Sequence, residues 1–492
     1  KCLGCSAVGI TDHGTVAGHL EFAKVQAEYD IKPIFGCELY HGVKTEFAKN
    51  ERDASHLVAG SLTDQGLRNL WRLVDKASTN FRFVGRVNWQ FLADCSEGLF
   101  CTSACMQGLM GRGIRGEEGH DPYDALNRYL EIFKDNFYIE IHTYPGETQE
   151  LINKELVGIA QERGVPLIYA TDAHFASPDQ YEIHDAYVAM QTGDSIFTPI
   201  EERKMWHPKA LYIQSEEEIR QSLSYLPESA VDEALSNSAE LADRCNAQLP
   251  EVRRHMPQFV TKECPWVEDH KVNPAVLLVE LTAKGLSERY DDWDGPWERA
   301  ERELEVFLEA GLEHYFLQVW DLCQYAEANG IKRGPGRGSA AGSIVAYALG
   351  ITDVDPLKYD LIFERFYNPG REKGYPDIDI DFPTGRRKDV REYLSKRWGQ
   401  DKVRTIGTIT RMKPKAAIDS KLHKACRIEW KEKEELKAII DKVPDIDILG
   451  PDSIGWDSEI DPGKTIYVMD HVGDEIKAWL AKQPAERRDL LE

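Results

Sequence analysis

A chain of 492 residues, 42% hydrophobic and 29% charged, has the composition of a globular protein with two to four domains. It contains no apolar run of about eighteen residues, no signal-peptide pattern at its start and only ten cysteines, so we expect a cytoplasmic protein with reduced thiols and no membrane partner. Its net charge of −24 is unfavourable for a protein that binds nucleic acid over its whole surface.

Strands and helices alternate over residues 1–248. The predicted strands are Ala7–Gly14, Lys32–Tyr40, Phe137–His142 and Val165–His174, and the predicted helices are Val16–Tyr29, Gly66–Ala77 and Leu151–Arg163. This alternation indicates an α/β layer or barrel, in which functional residues lie at the strand ends.

Histidine and acidic residues occur in or beside these strands. They are Asp12, His13, Glu38, His56, Asp172 and His174. Imidazole and carboxylate groups together suit Zn²⁺, Mn²⁺ or iron. A single histidine in such a place is more often a structural residue, but several that converge on one rim favour a metal site.

A glycine-rich loop follows a predicted helical region over Glu298–Asn329. Its glycines and basic residues are Gly334, Gly336, Gly338, Lys332, Arg333 and Arg337. Backbone N–H groups of such a loop can converge on an anion, and Ser339 is the predicted cap of a helix over Ala340–Leu349. Because the loop matches neither the P-loop nor the dinucleotide-binding pattern, a flexible glycine turn is the alternative to a phosphate-binding loop.

The segment Tyr375–Phe382 alternates acidic and apolar residues and is predicted to be a strand. Asp377, Asp379 and Asp381 would then share one face, where their mutual repulsion requires a cation. Mg²⁺ accepts one or two carboxylates together with substrate phosphates, and two such ions support an in-line phosphoryl displacement. The alternative is a solvated edge strand with an acidic outer face, and the pattern does not indicate which of the three acids would bind.

Basic residues are concentrated around these two motifs. Residues 332–427 contain 21 Lys or Arg against 12 Asp or Glu, whereas the rest of the chain contains 39 against 72. The predicted amphipathic helix Gly385–Trp398 belongs to this region, and its Arg386 and Arg387 are candidates for contact with DNA or a triphosphate. Chance clustering on solvated helix faces is the alternative.

Four blocks around the loop and the acids resemble the palm of C-family replicative DNA polymerases, the polymerase III alpha subunits of bacteria and phages. The blocks are Gly334–Ser343, Ile351–Leu357, Phe363–Pro369 and Pro376–Phe382. The resemblance implies that Asp379 and Asp381 are catalytic and hold two Mg²⁺, and that the loop binds the incoming triphosphate. The residues expected to bind it are Arg337, Gly338, Ser339, Ser343 and, in a later matching segment, Lys415. Asp419 departs from the arginine usual in that segment.

Residues 1–248 resemble the PHP (polymerase and histidinol phosphatase) domain of the same polymerases. The matching segments are Thr11–Gly14, Gly36–Glu38, His56–Leu57, Cys101–Gly108 and Ala170–Phe175. The resemblance implies metal ligands at His13, Glu38, His56, Cys105, Asp172 and His174, with Zn²⁺ or Mn²⁺ as the candidate ions. We expect the N-terminal strand with its His-x-His motif to be missing.

The predicted fold class is α/β and α+β with several domains. The resemblance implies a PHP-type β/α barrel with connection over 1–248, the first part of a mixed-sheet nucleotidyltransferase-like palm over 249–411, and a small helical thumb over 412–492.

The implied function is DNA-templated transfer of dNTPs to a primer 3′-hydroxyl by a DNA-directed DNA polymerase. Implied partners are primer-template DNA, dNTP, and a sliding clamp or other replisome proteins. We expect this chain alone to be inactive, because the family's third catalytic aspartate and the fingers would lie beyond it. The alternatives are a PHP-type phosphoesterase or 3′-5′ exonuclease, and a non-catalytic polymerase piece that needs a partner chain.

Overall fold

The computed structural model describes residues 3–42, 54–79, 81, 84–251, 257–292, 294–368, 370, 375–400 and 402–403, with a few positions between 434 and 482. Two compact units contain Lys1–Pro250 and Glu251–Thr408. Most of the predicted thumb, 412–492, lies outside the described residues, and so does Lys415.

The first unit is built on a mixed seven-stranded sheet. Its strands are β1 Ala7–Ile10, β2 Lys32–His41, β3 Ser55–Ser61, β4 Arg86–Val87, β5 Leu99–Thr102, β6 Phe137–His142 and β7 Leu167–Ala170. The strand order is β1-β2-β3-β5-β6-β7, with β4 beside β2. Strand β3 is antiparallel to both of its neighbours, β2 and β5, whereas the other pairings are parallel.

Nine helices are described in this unit. They are α1 His19–Tyr29, α2 Asp64–Thr79, α3 Trp89–Cys95, α4 Leu109–Ile114, α5 Pro122–Phe133, α6 Glu147–Arg163, α7 Tyr181–Thr192, α8 Glu216–Ser222 and α9 Glu228–Arg244. Helix α2 shows why they pack as they do: Leu67, Leu70 and Leu73 recur at helical spacing, and all three are buried. The sheet contributes Leu39, Leu57 and other apolar residues to the core.

The second unit is mainly helical over its described residues. Its helices are α10 Pro274–Arg289, α11 Asp294–Glu309, α12 Glu313–Ala328, α13 Ile344–Ala348 and α14 Arg387–Trp398. Fully buried Phe307 and Phe316, whose ring centroids are 4.3 Å apart, lie in its core. None of the described helices in either unit is long and apolar enough to span a bilayer.

The region Glu298–Asn329 is helical, as predicted, and consists of α11 and α12 separated by a turn at Gly311, whose φ is +66°. Two other predicted elements of the second unit differ from the structure. Residues Ser339–Gly342 form a 3₁₀ turn, so the following helix is short.

The predicted acid strand pairs with the glycine loop at a single bridge between Arg337 and Asp379. A longer ladder does not form there because the loop turns at Gly336 and Gly338, which both have positive φ.

Candidate functional sites

The glycine loop lies directly against the acidic segment in the second unit. Besides the bridge between Arg337 and Asp379, the Gly334 N–H donates to the Asp381 carbonyl at 3.1 Å. On its other side the loop is held by Thr352, whose hydroxyl donates to the Pro335 carbonyl at 3.0 Å. The two motifs that are 40 residues apart in sequence therefore form one site.

Arg337 is the cation that faces both acids of this site. Its Nε lies 3.7 Å from Asp379 Oδ2, and a terminal guanidinium nitrogen lies 3.4 Å from Asp381 Oδ1. The Asp381 side chain is 61% exposed and that of Asp379 39%, so both are accessible to solvent and to ligands. One arginine offsets their mutual repulsion only in part, and the pair fits the one or two carboxylates that Mg²⁺ accepts. Asp377 is also exposed.

Two glycines permit the close approach of the loop to the acidic segment and to Thr352. A Cβ at Gly338, which has a φ of +72°, would lie 3.1 Å from Asp379 Oδ2. A Cβ at Gly336, which has a φ of +141°, would lie 2.3 Å from the Thr352 hydroxyl oxygen and would force Thr352 to shift. The loop conformation thus depends on glycine at both positions.

The two serines predicted to bind the triphosphate lie in different environments. Ser339 is exposed at the start of the 3₁₀ turn. Ser343 is fully buried, where its hydroxyl donates to Glu303 Oε2 at 2.7 Å and accepts from the Ala346 N–H, which caps α13. Its hydroxyl therefore supports the helix behind the loop.

Sequence reasoning missed the buried ion pair behind Ser343. Glu303 is fully buried on α11, and Arg299, one turn earlier, donates to it at 2.7 Å and to the Gly342 carbonyl at 3.0 Å. Burial raises the pKa of Glu303, although the hydrogen bond from Ser343 and the charge of Arg299 oppose the shift. An acid within the apolar stripe of a helix was the available signal.

The predicted DNA contacts lie on and before α14. Arg386 is half-buried and donates to Asp389 at 2.6 Å, whereas Arg387 is exposed. Nothing in these contacts tests DNA binding, so their role stays a prediction.

The first unit brings predicted metal ligands together at one rim. Glu38 on β2 accepts hydrogen bonds from His13 Nδ1 at 2.9 Å and from His56 Nδ1 at 2.6 Å. Burial alone would raise the pKa of Glu38, but the hydrogen bonds from His13 and His56 outweigh it and lower the pKa to about 2. Because both imidazoles use Nδ1 for this contact, the Nε2 atom of each is the one that could bind a metal.

Cys105, Asp172 and His174 complete the predicted set. Cys105 Sγ lies 3.4 Å from His56 Nδ1, and burial raises the pKa of its thiol. His174 Nδ1 donates to the Asp172 carbonyl at 2.8 Å, and its ring centroid lies 5.9 Å from that of His13. Burial also raises the pKa of Asp172, against the attraction of His142 and His174.

Further histidines lie beside this set. His184 on α7 and His207 in the following connection lie 2.7 Å apart between Nε2 and Nδ1, and the His207 ring centroid is 4.2 Å from that of His174. Burial, together with the neighbouring imidazoles, lowers the pKa of His207 to about 4. No sequence pattern pointed to this pair, because the fold of the connection brings His207 back against α7.

The donor types at this rim suit Zn²⁺ or Mn²⁺. Over the described part of the chain, however, no three His, Cys, Asp or Glu side chains are grouped around a common point as an ion would require. The donors therefore fit a metal in kind, and binding would require some of them to rotate.

Family models match both units. The PHP domain model matches residues 1–144, and the model of the bacterial DNA polymerase III alpha NTPase domain matches residues 276–467. Together they define a class of protein in which a PHP domain precedes a polymerase NTPase domain, and they agree with the mixed α/β architecture of the structure.

Curated relatives give the particular family. The chain is 34% identical to DNA polymerase III subunit alpha of Borreliella burgdorferi, over 91% of this chain and 38% of that protein. It is 35% identical to the Treponema pallidum subunit, over 85% of this chain and 35% of that protein. It is 31% identical to the Campylobacter jejuni subunit, over 89% of this chain and 38% of that protein. Over most of its length the chain is therefore similar to bacterial DNA polymerase III alpha subunits, which confirms the resemblance seen in its motifs. It spans little more than a third of the length of these relatives.

Proposed function

We propose that this chain is part of a DNA polymerase that transfers dNTPs to a primer 3′-hydroxyl, with Asp379 and Asp381 as its magnesium-binding acids. The observation that carries the proposal is the contact between the glycine loop and these acids. A glycine loop that can approach a triphosphate and a pair of accessible carboxylates are the two parts that nucleotidyl transfer requires.

Each part of the site has a distinct task in this proposal. The loop from Gly334 to Ser339 and the Arg337 guanidinium hold the triphosphate, while Asp379 and Asp381 hold the ions. Bound Mg²⁺ would lower the pKa of the primer hydroxyl and stabilise the leaving pyrophosphate. The buried hydroxyl of Ser343 fixes the helix behind the loop and so orients the loop.

The finer architecture and the partners belong to the same proposal. The mixed sheet of the first unit is part of a PHP-type β/α barrel over 1–248, followed by the first part of a palm over 249–411 and a helical thumb over 412–492. Arg386, Arg387 and Lys415 contact DNA or triphosphate phosphates. The PHP rim binds Zn²⁺ or Mn²⁺, and the whole polymerase works in the cytoplasm with primer-template DNA, a sliding clamp and other replisome proteins.

Binding of a fluorescent dATP analogue to the purified chain, with and without Mg²⁺, tests this proposal. We expect Mg²⁺-dependent binding that weakens by about tenfold or more in Asp379→Asn and Asp381→Asn, because each removes a carboxylate from the ions. Asp377→Asn is the matched control and should bind like the wild type. Equal binding by all four proteins, or binding indifferent to Mg²⁺, would contradict the proposal.

The cluster around Glu38 favours a second candidate function, a PHP phosphoesterase or 3′-5′ exonuclease. Two imidazoles with fixed tautomers beside a buried carboxylate are suited to metal-assisted hydrolysis. Release of a 3′-terminal nucleotide that is lost in His174→Ala but kept in Asp379→Asn would support it. Retention of that hydrolysis in His174→Ala would exclude it.

A further inference from the structure

Three histidines lie together at the rim of the first unit that carries the predicted metal ligands. His174 follows β7, His184 lies on α7, and His207 lies in the connection before α8. Their ring centroids are 4.2 Å apart for His174 and His207, 5.0 Å for His184 and His207, and 5.9 Å for His174 and His184. His174 connects the group to His13, at 5.9 Å.

The connection that carries His207 is fixed in place. Arg203 forms an almost buried ion pair with Asp185 of α7 at 2.6 Å and donates to the Thr198 carbonyl at 2.8 Å. Farther along, the Leu211 carbonyl accepts the His174 N–H at 2.9 Å. His207 is therefore held between two anchors, one to the helix of its neighbour and one to the loop that carries His174.

Hydrogen bonding defines which nitrogens are available. The His174 Nδ1–H donates to the Asp172 carbonyl, so the neutral ring carries its lone pair on Nε2. The 2.7 Å contact joins His184 Nε2 to His207 Nδ1, and a proton on His207 Nδ1 would likewise leave His207 Nε2 with a lone pair. A neutral imidazole whose second nitrogen is fixed by a hydrogen bond is the usual form of a metal-binding histidine.

We propose that His207 is a further imidazole ligand of the PHP metal site, positioned by His184, for a divalent ion of the zinc type. The proposal depends on metal binding at the PHP rim, which is part of the proposed function. His207 would join His174 in the binding set, and His184 would act by holding the tautomer and orientation of His207. Imidazole nitrogen is a preferred donor for such ions.

Aromatic packing is the competing explanation for the group. The Phe175 ring lies 5.1 Å from His184 and 6.5 Å from Tyr212, so the histidines could be rings in an aromatic cluster. The two explanations differ in what phenylalanine does at position 207, because it keeps a ring and removes both nitrogens.

Zinc binding by the purified chain separates these explanations. Zn²⁺ affinity is measured by competition with a chromophoric chelator, and thermal unfolding of the metal-free proteins is followed by circular dichroism. We expect His207→Phe to unfold at the wild-type temperature but to bind Zn²⁺ about 10–100-fold more weakly, with a similar loss in His184→Phe. His270→Phe, at an exposed histidine of the second unit, is the control and should bind like the wild type.

A measurement on the unaltered chain guards against misfolded variants. Carbethoxylation of histidines by diethyl pyrocarbonate is mapped by mass spectrometry with and without Zn²⁺, and we expect Zn²⁺ to protect His207 but not His270. Unchanged modification of His207, wild-type affinity in His207→Phe, or a wild-type chain that takes up no Zn²⁺ would each overturn the proposal. Glu38→Gln separates failure of the His207 proposal from failure of the PHP metal site. If Glu38→Gln binds Zn²⁺ more weakly while His207→Phe binds it like the wild type, His207 is rejected as a ligand and the PHP metal site is retained.

Discussion

At the scale of single residues, Ser343 shows how a side chain can serve the loop without facing a ligand. Its hydroxyl satisfies the fully buried Glu303 and caps α13 through the Ala346 N–H. We expect Ser343→Ala to lower the free energy of unfolding by about 1–3 kcal/mol, because a cap is lost and a buried carboxylate loses a donor.

The neighbouring serine provides the matched control for this prediction. Ser339 is exposed, so Ser339→Ala should change the free energy of unfolding by no more than about 0.5 kcal/mol. Urea unfolding of the two variants beside the wild type is the measurement. A stable Ser343→Ala protein with weakened nucleotide binding would instead favour direct contact between Ser343 and the triphosphate.

Single residues also mark the limit of what the sequence predicted. The alternation of acids predicted that Asp377, Asp379 and Asp381 share one face, and the family resemblance selected the last two. The structure brings Asp379 and Asp381 to Arg337 of the glycine loop. The position of Glu303 in an apolar helix stripe indicated a buried acid, but its partner could not be predicted, because Ser343 is 40 residues away and no local pattern joins them. His207 was missed for the same reason, since packing of one loop against another sets its position.

At the scale of elements, periodicity located about half of the described helices and strands, and β6 was predicted with its observed bounds. The predictions failed where the backbone, rather than the apolar pattern, decides the structure. The 3₁₀ turn before α13 shortens the helix predicted over Ala340–Leu349, and the predicted acid strand forms one isolated bridge with the glycine loop. Glycine conformation and side-chain capping determined these differences, and neither is visible in hydrophobic spacing.

The contact of α10 with α13 depends on a glycine and gives a prediction for these elements. A Cβ at Gly285 would lie 1.9 Å from the Ala348 carbonyl oxygen, so Gly285→Ala must push the helices apart. We expect a loss of about 1–3 kcal/mol in the free energy of unfolding.

Gly295 on α11 is the matched control for this change, because a Cβ there would meet nothing within 4 Å. Gly295→Ala should leave stability unchanged or raise it by about 0.5–1 kcal/mol. Chemical unfolding measures both variants, and equal stability of the two would show that α10 and α13 are not in close contact.

Helix α8 gives a prediction about pH. Hydrogen bonds from the Ser215 and Tyr212 hydroxyls and from the Ser215 N–H lower the pKa of Glu218 to about 2. A lowered pKa stabilises the fold above the ordinary value near 4.5, and that stabilisation is lost as the pH falls through 2. The wild type should therefore have a higher urea midpoint than Glu218→Gln at about pH 6. This difference should shrink to nothing as the pH falls from about 4.5 to about 2. Glu217→Gln, in the same turn but outside the capping box, is the control, and its difference in urea midpoint from the wild type should not change in this way with pH.

At the scale of the whole molecule, charge and core composition divide the chain in different ways. Basic residues are concentrated in 332–427, next to the acids that the proposed function assigns to magnesium, while the rest of the chain is strongly acidic. The overall charge of −24 therefore gave no useful indication about DNA binding, because the local distribution carries that information.

The apolar residues form a separate core in each unit, and each core should unfold with its own unit. Leu126 on α5 is fully buried in the core of the first unit, and Phe307 on α11 in that of the second. Truncation to alanine leaves a cavity that costs about 2–5 kcal/mol for leucine and about 3–5 kcal/mol for phenylalanine. Because the units have their own cores, differential scanning calorimetry should resolve two transitions, with Leu126→Ala lowering one midpoint and Phe307→Ala the other. If either substitution lowered both midpoints by the same amount, the two units would have to unfold as a single cooperative structure.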